Sequence, residues 1–348
     1  MIKKLFQFLI HFIFVVFILA LVIGVPATWM VRRSYSAPEV HYFYMEQERA
    51  DEAAEPEAEE PGTAVTEAAE TDAAGTEGTE SQEPESERTE SLRFAVLSDL
   101  YGYVFEGGNG IIADLVSSTF PDAILIGGNM IDGGSDGISG ITDLIRRLSQ
   151  IAPVYYSYGE QELSYVNRLS AGDPDDRASD PLRAELKKAG AVVLNGEYTD
   201  VQLYGISARI GGMNDKAYEL TNLNGKVKRK SSKAWNLMNR FRNTDRLKVM
   251  ISNRTDNFLY GDACETWKTD LVVSGNELGG LVVLPYYGGV FGGSQGYFPE
   301  YIHGMYEKGK ANLLITSGLS APRGIIPRFN NPPEIAVLDI GGLMRAAK

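Results

Sequence analysis

Residues 121–129 read PDAILIGGN and residues 93–102 read RFAVLSDLYG. In both stretches a short apolar run stops at a turn that contains glycine and a polar residue. Such runs, bounded by turn residues and rich in branched or aromatic side chains, are typical of buried strands. Residues 111–118 lie between the two stretches, and their apolar periodicity predicts a helix. A strand, a helix and a second strand in this order indicate α/β architecture.

The same alternation continues along the chain. An amphipathic helix is predicted over residues 138–149 and a charged helix over residues 180–189. Further strands are predicted at residues 154–156, 191–194, 201–204, 249–251, 271–273, 313–315 and 335–338. Short strands that alternate with helices predict one α/β domain, which we place at residues 91–348.

Five turns that follow predicted strands contain most of the polar residues of interest. They are Ser98–Tyr101, Gly127–Asn129, Gly159–Glu162, Ser252–Arg254 and Gly275–Gly280. Loops at the C-terminal ends of strands can converge on one point, where ligands commonly bind in α/β proteins. The turns therefore predict a shared site at one end of the domain.

In order and in flanking residues, these turns resemble the five metal-binding motifs of the calcineurin-like metallophosphoesterases. The usual forms of those motifs are Asp-x-His, Gly-Asp, Gly-Asn-His-Glu, a lone His and Gly-His-x-His. Residues 284–285, 296–299 and 318–335 are similar to the membrane-anchored bacterial branch of that family. The resemblance covers residues 92–340. It implies a four-layer αββα sandwich with two central mixed sheets, the metallo-dependent phosphatase-like fold.

Most of the residues that would do the family's chemistry are replaced. The matching positions are Asp99, Tyr101, Asn129, Glu160, Gln161, Asn253, Asn276 and Leu278. The resemblance implies that four imidazole ligands and the bridging carboxylate are missing. Gln161 stands where the family has a histidine that protonates the leaving group, and glutamine has no proton to give near pH 7. We therefore predict no catalytic residue.

The replaced positions also argue against a pair of catalytic cations. Transition metals favour imidazole ligands, and a neutral amide cannot offset the repulsion between two dications. A metal-free network of amide hydrogen bonds is the expected arrangement, with no cofactor. The alternative is weak binding of Ca²⁺ or Mg²⁺, which accept oxygen ligands. Its ligands would be Asp99, Asn129, Glu160, Asn253 and Asn276.

Other polar residues of the predicted domain are given ordinary roles. His303 is expected to be a surface or packing histidine. Arg254 and Arg323 are expected in salt bridges or at the surface, with anion binding near the cleft as the alternative. Cys264 is the single cysteine of the chain, so an internal disulfide is excluded.

The N-terminal segment, residues 1–33, predicts a membrane anchor. Residues 5–25 are apolar except for Gln7 and His11, and basic residues flank the run. A helix of this length spans about 31 Å, enough to cross the hydrocarbon core of a bilayer. We expect a single-pass protein of the cell membrane with its globular domain outside the cytoplasm. The alternative is a cleaved signal peptide with residues 25–27 as its cleavage site.

Residues 34–90 are predicted to be an acidic, low-complexity linker. Residues 46–90 hold 17 acids against two arginines, whereas the whole chain has a net charge of −13. A segment of this composition cannot bury enough apolar surface to fold, so we expect a disordered stalk between anchor and domain. The rest of the chain is nearly neutral, which argues against nucleic-acid binding.

Together these features predict a membrane-tethered, catalytically inactive metallophosphoesterase-like protein. Its role would be binding or scaffolding at the cell envelope, with an envelope protein or an anionic ligand as partner. The alternative is a metal-dependent phosphoesterase with an altered, oxygen-ligand site. A third hypothesis is a purely structural envelope protein.

Overall fold

A computed structural model describes residues 25–46, 91–134, 137–169, 180–214, 233–259, 263–293, 295–322 and 327–342. Residues 25–33 are helical. Within these ranges, none of the helices has the length and apolar character needed to cross a bilayer. Apart from Val25, the predicted membrane span lies outside the described residues.

The first sheet has six strands. Their bounds are β1 Glu39–Glu46, β2 Leu92–Leu97, β3 Ala123–Ile126, β4 Val154–Tyr156, β5 Ala191–Val193 and β16 Glu334–Gly341. The spatial order is β1, β16, β2, β3, β4, β5. Strands β2 to β5 run parallel, whereas β16 is antiparallel to β2 and parallel to β1.

The second sheet is also mixed and has six strands. Their bounds are β6 Glu197–Leu203, β7 Ile206–Met213, β8 Leu247–Ser252, β9 Leu271–Ser274, β14 Gly304–Lys308 and β15 Ala311–Ile315. The order is β14, β15, β9, β8, β7, β6, with the four central strands parallel. Two small hairpins lie outside the sheets: β10 Val283–Leu284 with β11 Gly288–Gly289, and β12 Phe291–Gly292 with β13 Gly296–Tyr297.

Seven helices are described beyond the N-terminal one, together with a 3₁₀ turn at Leu278–Gly280. They are α1 Gly110–Ser118, α2 Ser139–Leu148, α3 Glu160–Leu169, α4 Pro181–Lys188, α5 Lys233–Phe241, α6 Asp256–Leu259 and α7 Ala263–Trp267. Helix α4 shows why a helix begins where it does. Proline occupies its first turn, and the Asp180 carboxylate accepts a hydrogen bond from the Arg183 N–H at 2.9 Å.

Alternating side chains divide the core into layers. Phe94 and Val96 of β2 face the second sheet, in a cluster that includes Val249 and Val273. Ala95 and Leu97 of the same strand face the opposite way, into a cluster with helices α1, α2 and α4. The outer face of the second sheet packs on α5, α6 and α7. The predicted mixed α/β fold with two sheets is confirmed.

Strand β1 corrects the start of the predicted linker. It pairs with β16 from Glu39↔Glu334 to Glu46↔Gly341, inside the range assigned to the linker. Few of its side chains point inward, Met45 among them, and they lie directly before the acidic stretch. The composition of the sequence therefore did not predict this strand. The acidic stretch therefore connects two strands of one sheet. Five residues, 34–38, separate the helical residues 25–33 from this sheet, so the predicted long stalk does not lie between them.

Candidate functional site

The five turns lie at the C-terminal ends of β2, β3, β4, β8 and β9, at one end of both sheets. Glycines allow these turns to approach one another closely. A Cβ on Gly128 (φ +86°) would collide with the backbone of Gly159, and a Cβ on Gly275 would collide with Ser98 and Asp99. This contact between turns explains why glycine is needed there even where the ligand residues are replaced.

The Asn129 side chain lies at the centre of the site and connects its turns by hydrogen bonds. Its Nδ2 donates to Asp99 Oδ1 at 3.0 Å and to the Tyr101 hydroxyl at 3.2 Å, and it lies 3.5 Å from Asn276 Oδ1. Its Oδ1 accepts from the Gln161 backbone N–H at 3.2 Å. Because that contact needs an acceptor, the amide nitrogen must face Asp99. The expected amide network is present for these residues.

Asp99 is fully buried, and both of its carboxylate oxygens accept hydrogen bonds. Besides the bond from Asn129, its Oδ2 accepts from the Asn276 N–H at 2.7 Å. Burial raises the pKa of Asp99 to about 6, although these hydrogen bonds act to lower it. Burial therefore disfavours the ionised form of the Asp99 carboxylate.

The raised pKa of Asp99 predicts a pH dependence of stability. Its ordinary pKa in an unfolded chain is about 3.9, so between about pH 4 and 6 the folded state binds more protons than the unfolded state. The Asp99 contribution to stability is therefore present at low pH and lost as pH rises through about 6. Between pH 5 and 7 we expect a loss of about 1 kcal/mol from this group. Urea unfolding of wild type and Asp99→Asn at both pH values isolates it, and an identical pH slope in the two proteins would contradict the prediction.

Tyr101 and Leu278 place packed side chains where the resemblance implies imidazole ligands. Tyr101 is 8% exposed and Leu278 is 4% exposed, and they form a small apolar cluster with Leu281. Phe291 and Ala321 pack against that cluster. Burial raises the pKa of the Tyr101 phenol well above its ordinary value, so this hydroxyl stays neutral. On this side of the site the side chains therefore pack against one another and do not act as metal ligands.

Three predicted positions take no direct part in this network through their side chains. Glu160 is exposed at the start of α3. The Gln161 side chain turns away and accepts from the Gly133 N–H at 3.1 Å. Asn253 is buried, and its Nδ2 donates to the Gly127 carbonyl at 2.9 Å. The Asn253 Oδ1 has no hydrogen-bond partner within the described chain.

Two of the arginine and cysteine predictions can be compared with the structure. Arg254 forms an ion pair with Asp256 at 3.3 Å, as one of the predicted ordinary roles requires. Cys264 is buried and free. Arg323 lies outside the described residues.

The backbone of the site is strained at five of the eight positions. The φ angles are positive at Asp99 (59°), Tyr101 (50°), Asn129 (54°), Asn276 (67°) and Leu278 (54°). A left-handed conformation costs a non-glycine residue about 1–2 kcal/mol, and such residues cluster at ligand sites and other functional loops. The turns are therefore held in a shape that local preferences alone would not select.

Glu162 is a structural residue that sequence reasoning missed. Its Oε2 accepts from the N–H groups of Asn129 (2.7 Å) and Gly159 (2.8 Å). Its Oε1 accepts from the Met130 N–H (2.8 Å) and the Tyr156 hydroxyl (2.7 Å). One buried carboxylate thus joins the turn after β3 to the start of α3. Its position at the end of the third motif was the available signal.

Arg328 is a second missed residue. It is fully buried, and its guanidinium donates to carbonyls of Ser317 (2.9 Å), Ser320 (2.6 Å), Asn331 (3.1 Å) and Pro332 (2.9 Å). Burial lowers the pKa of Arg328 to about 10, an effect that nearby Asp99 and other groups partly oppose. Its positive charge in turn lowers the pKa of Asp99.

The residues present do not fit a dinuclear metal centre. Asn129 Nδ2 and the Asn276 N–H each occupy one lone pair of an Asp99 oxygen, so a cation beside Asp99 would face two N–H donors. Leu278 offers an alkyl group in place of a ligand, and no imidazole lies among the eight positions. We therefore assign no metal-dependent step to this site.

A scan of the sequence against protein-family models gives no match, and a search among curated proteins gives none. Solved structures do match. They include phosphopantetheinyl hydrolase from Mycobacterium tuberculosis, with a TM-score of 0.39, 14% identity, and coverage of 68% of this chain and 92% of that one. GAP50, the anchor in the inner membrane complex of Plasmodium, matches with a TM-score of 0.39 and 12% identity over 72% of this chain and 81% of that one.

A dimetal phosphatase from Danio rerio matches with a TM-score of 0.29 and 10% identity, over 65% of this chain and 87% of that one. Two of these three structural neighbours are thus a hydrolase and a dimetal phosphatase. The observed strand order and the converging turns, rather than these distant likenesses, define the fold.

Proposed function

We propose that this protein is a membrane-tethered, non-catalytic relative of the metallophosphoesterases, with their four-layer sandwich fold. In this proposal it acts by binding or scaffolding at the cell envelope, with its domain outside the cytoplasm. Its partner would be an envelope protein or an anionic ligand.

The observation that carries this proposal is the bonding of Asp99. A catalytic dinuclear centre needs this carboxylate as an anion that is free to bind metal. Here it is buried, its pKa is raised, and it accepts hydrogen bonds from Asn129 and Asn276. Tyr101 and Leu278 are packed beside it. Such a site is built to keep its loops in place rather than to activate water.

Contacts of the segment that follows the predicted anchor support tethering close to the membrane. The Asn331 N–H donates to Ser34 Oγ at 3.1 Å, and the Arg328 N–H donates to the Tyr35 hydroxyl at 3.3 Å. Arg33 forms an ion pair with Glu39 at 2.9 Å. Because this segment is fixed to the domain, a membrane-spanning run before it would hold the domain beside the bilayer.

The experiment uses the full-length chain, since a fragment beginning at residue 91 would lack strand β1. We expect the protein to stay in the membrane pellet after alkaline washing. The purified chain, loaded with Mn²⁺, should show no hydrolysis of aryl phosphomonoesters or phosphodiesters above the level of an Asp99→Ala variant. Two manganese ions per chain, with turnover that is abolished by Asp99→Ala, would refute the proposal.

The alternative is a phosphoesterase that uses one hard cation. The buried Asn253 Oδ1 favours it, because this oxygen has no hydrogen-bond partner in the described residues and could be a ligand. The exposed Glu160 would have to turn inward to complete the site. This alternative predicts hydrolysis that depends on Ca²⁺ or Mg²⁺ and is lost in Glu160→Gln. Activity without that sensitivity would exclude it.

A further inference from the structure

His41 and His303 meet at one buried carboxylate outside the cleft. His303 Nε2 lies 2.9 Å from Glu334 Oε1, and His41 Nδ1 lies 3.4 Å from the same oxygen. One ligand atom from each of the three residues lies within 4.8 Å of the others. Across the described ranges, this is the single group of three or more such side chains with that geometry. The expectation that His303 is a surface or packing histidine did not include this contact with Glu334.

The cluster bridges the edges of the two sheets. His41 lies on β1, the edge strand of the first sheet, and His303 directly precedes β14, the edge strand of the second. Glu334 begins β16, next to β1. The two imidazole rings are 5.7 Å apart in an edge-on arrangement. A shared ligand here would join the edges of the two sheets.

The carboxylate is oriented by other groups. Glu334 Oε2 accepts from the Ser317 N–H at 2.6 Å and from the Thr316 hydroxyl at 3.2 Å, which leaves Oε1 toward the histidines. On the other side of His41, Glu39 Oε2 lies 3.6 Å from Nε2. Metal-binding histidines and carboxylates commonly have outer partners of this kind, which fix their orientation.

Hydrogen bonding alone does not account for His41. Its Nδ1 atom is buried and lies 3.4 Å from Glu334 Oε1, but this contact does not have the geometry of a hydrogen bond. The Nδ1 atom has no other hydrogen-bond partner among the described residues. A cation among Nδ1, Nε2 and Oε1 would use all three lone pairs. Both histidine side chains are about one-third exposed, at 37% and 35%, which provides access from solvent.

We propose that His41, His303 and Glu334 bind one first-row divalent metal ion, with zinc as the best chemical match. Two imidazoles and one carboxylate form a recognised zinc ligand set, with water in the fourth position. The ion would pin strand β1, and with it the N-terminal segment, to the rest of the domain. This site is separate from the cleft and does not depend on the proposed function.

The test uses the full-length chain in detergent, stripped with a chelator and then dialysed against Zn²⁺. We expect one zinc per chain by elemental analysis, and at least about a 100-fold weaker affinity in His41→Gln and in His303→Gln. His11→Gln is the matched control and should bind like wild type. Co²⁺ in wild type should give the visible absorption of a four-coordinate site. Zinc should raise the unfolding temperature of wild type but not of His303→Gln.

Each outcome decides the question. Wild type that binds neither Zn²⁺ nor Co²⁺ would overturn this proposal and leave the proposed function untouched. Zinc that is retained in both histidine variants and lost in Asp99→Asn would place the ion in the cleft, against both proposals. Zinc lost only in the His41 and His303 variants would support the site. Circular dichroism of the variants checks that they fold.

Discussion

Glu162→Gln is expected to lower the free energy of unfolding by about 3 kcal/mol or more, since a buried acceptor of several hydrogen bonds is replaced by a partial donor. The new amide NH₂ would face two of the four present donors: either the N–H groups of Asn129 and Gly159, or the Met130 N–H and the Tyr156 hydroxyl. If the NH₂ faces Asn129 and Gly159, two hydrogen bonds are lost. If it faces Met130 and Tyr156, the Met130 N–H loses its acceptor and the Tyr156 hydroxyl has to accept instead of donate. For a domain of this size, the unfolding temperature should fall by about 6–12 °C.

Glu160→Gln is the matched control for that change. It removes the same charge two residues earlier on the same helix, but from an exposed side chain. Its effect on unfolding should stay within about 0.5 kcal/mol. Thermal and urea unfolding of both variants measure the difference. Equal stability of the two variants would show that the Glu162 hydrogen bonds do not hold the turns together.

The contrast between Glu160 and Glu162 shows what the motif alone could and could not reveal. Order and flanking residues correctly predicted that the five turns meet, and the structure joins Asp99, Asn129 and Asn276 directly. The resemblance also drew attention to Glu160, because that position holds a metal ligand in the family. Which of two neighbouring glutamates points inward depends on the turn before α3, and sequence spacing does not define that turn.

Long-range contacts were also beyond sequence reasoning. His41 and His303 are far apart in the chain, and no periodicity links them; their contact depends on β1 adding to β16. That pairing was concealed because the strand is followed directly by acidic residues, whose composition predicts disorder. Most of the parallel strands in the two sheets were predicted, since each is a buried apolar run next to a turn. Strand β7, Ile206–Met213, was missed. An edge strand with exposed Tyr42 and Tyr44 has no such pattern.

Arg328→Met is the second change with a large expected effect, a loss of about 3–5 kcal/mol in the free energy of unfolding. Methionine fills a similar volume but donates no hydrogen bond. The carbonyl oxygens of Ser317, Ser320, Asn331 and Pro332 would lose donors in a site with no solvent exposure at the arginine. Arg146→Met, at an arginine whose side chain is 58% exposed, is the control and should change stability by less than about 0.5 kcal/mol.

A second effect of Arg328→Met separates charge from packing. The guanidinium lowers the pKa of Asp99, so its removal should raise that pKa above its present value of about 6. The stability lost as Asp99 ionises should then be lost at higher pH than in wild type. Urea unfolding of Arg328→Met and of the Arg328→Met, Asp99→Asn double variant between pH 5 and 8 measures this shift. The part of the pH dependence that Asp99→Asn removes is compared between wild type and the Arg328→Met background. If it is the same in both, Arg328 acts on the site through its hydrogen bonds alone. Arg328 is then not the counter-charge of a buried carboxylate.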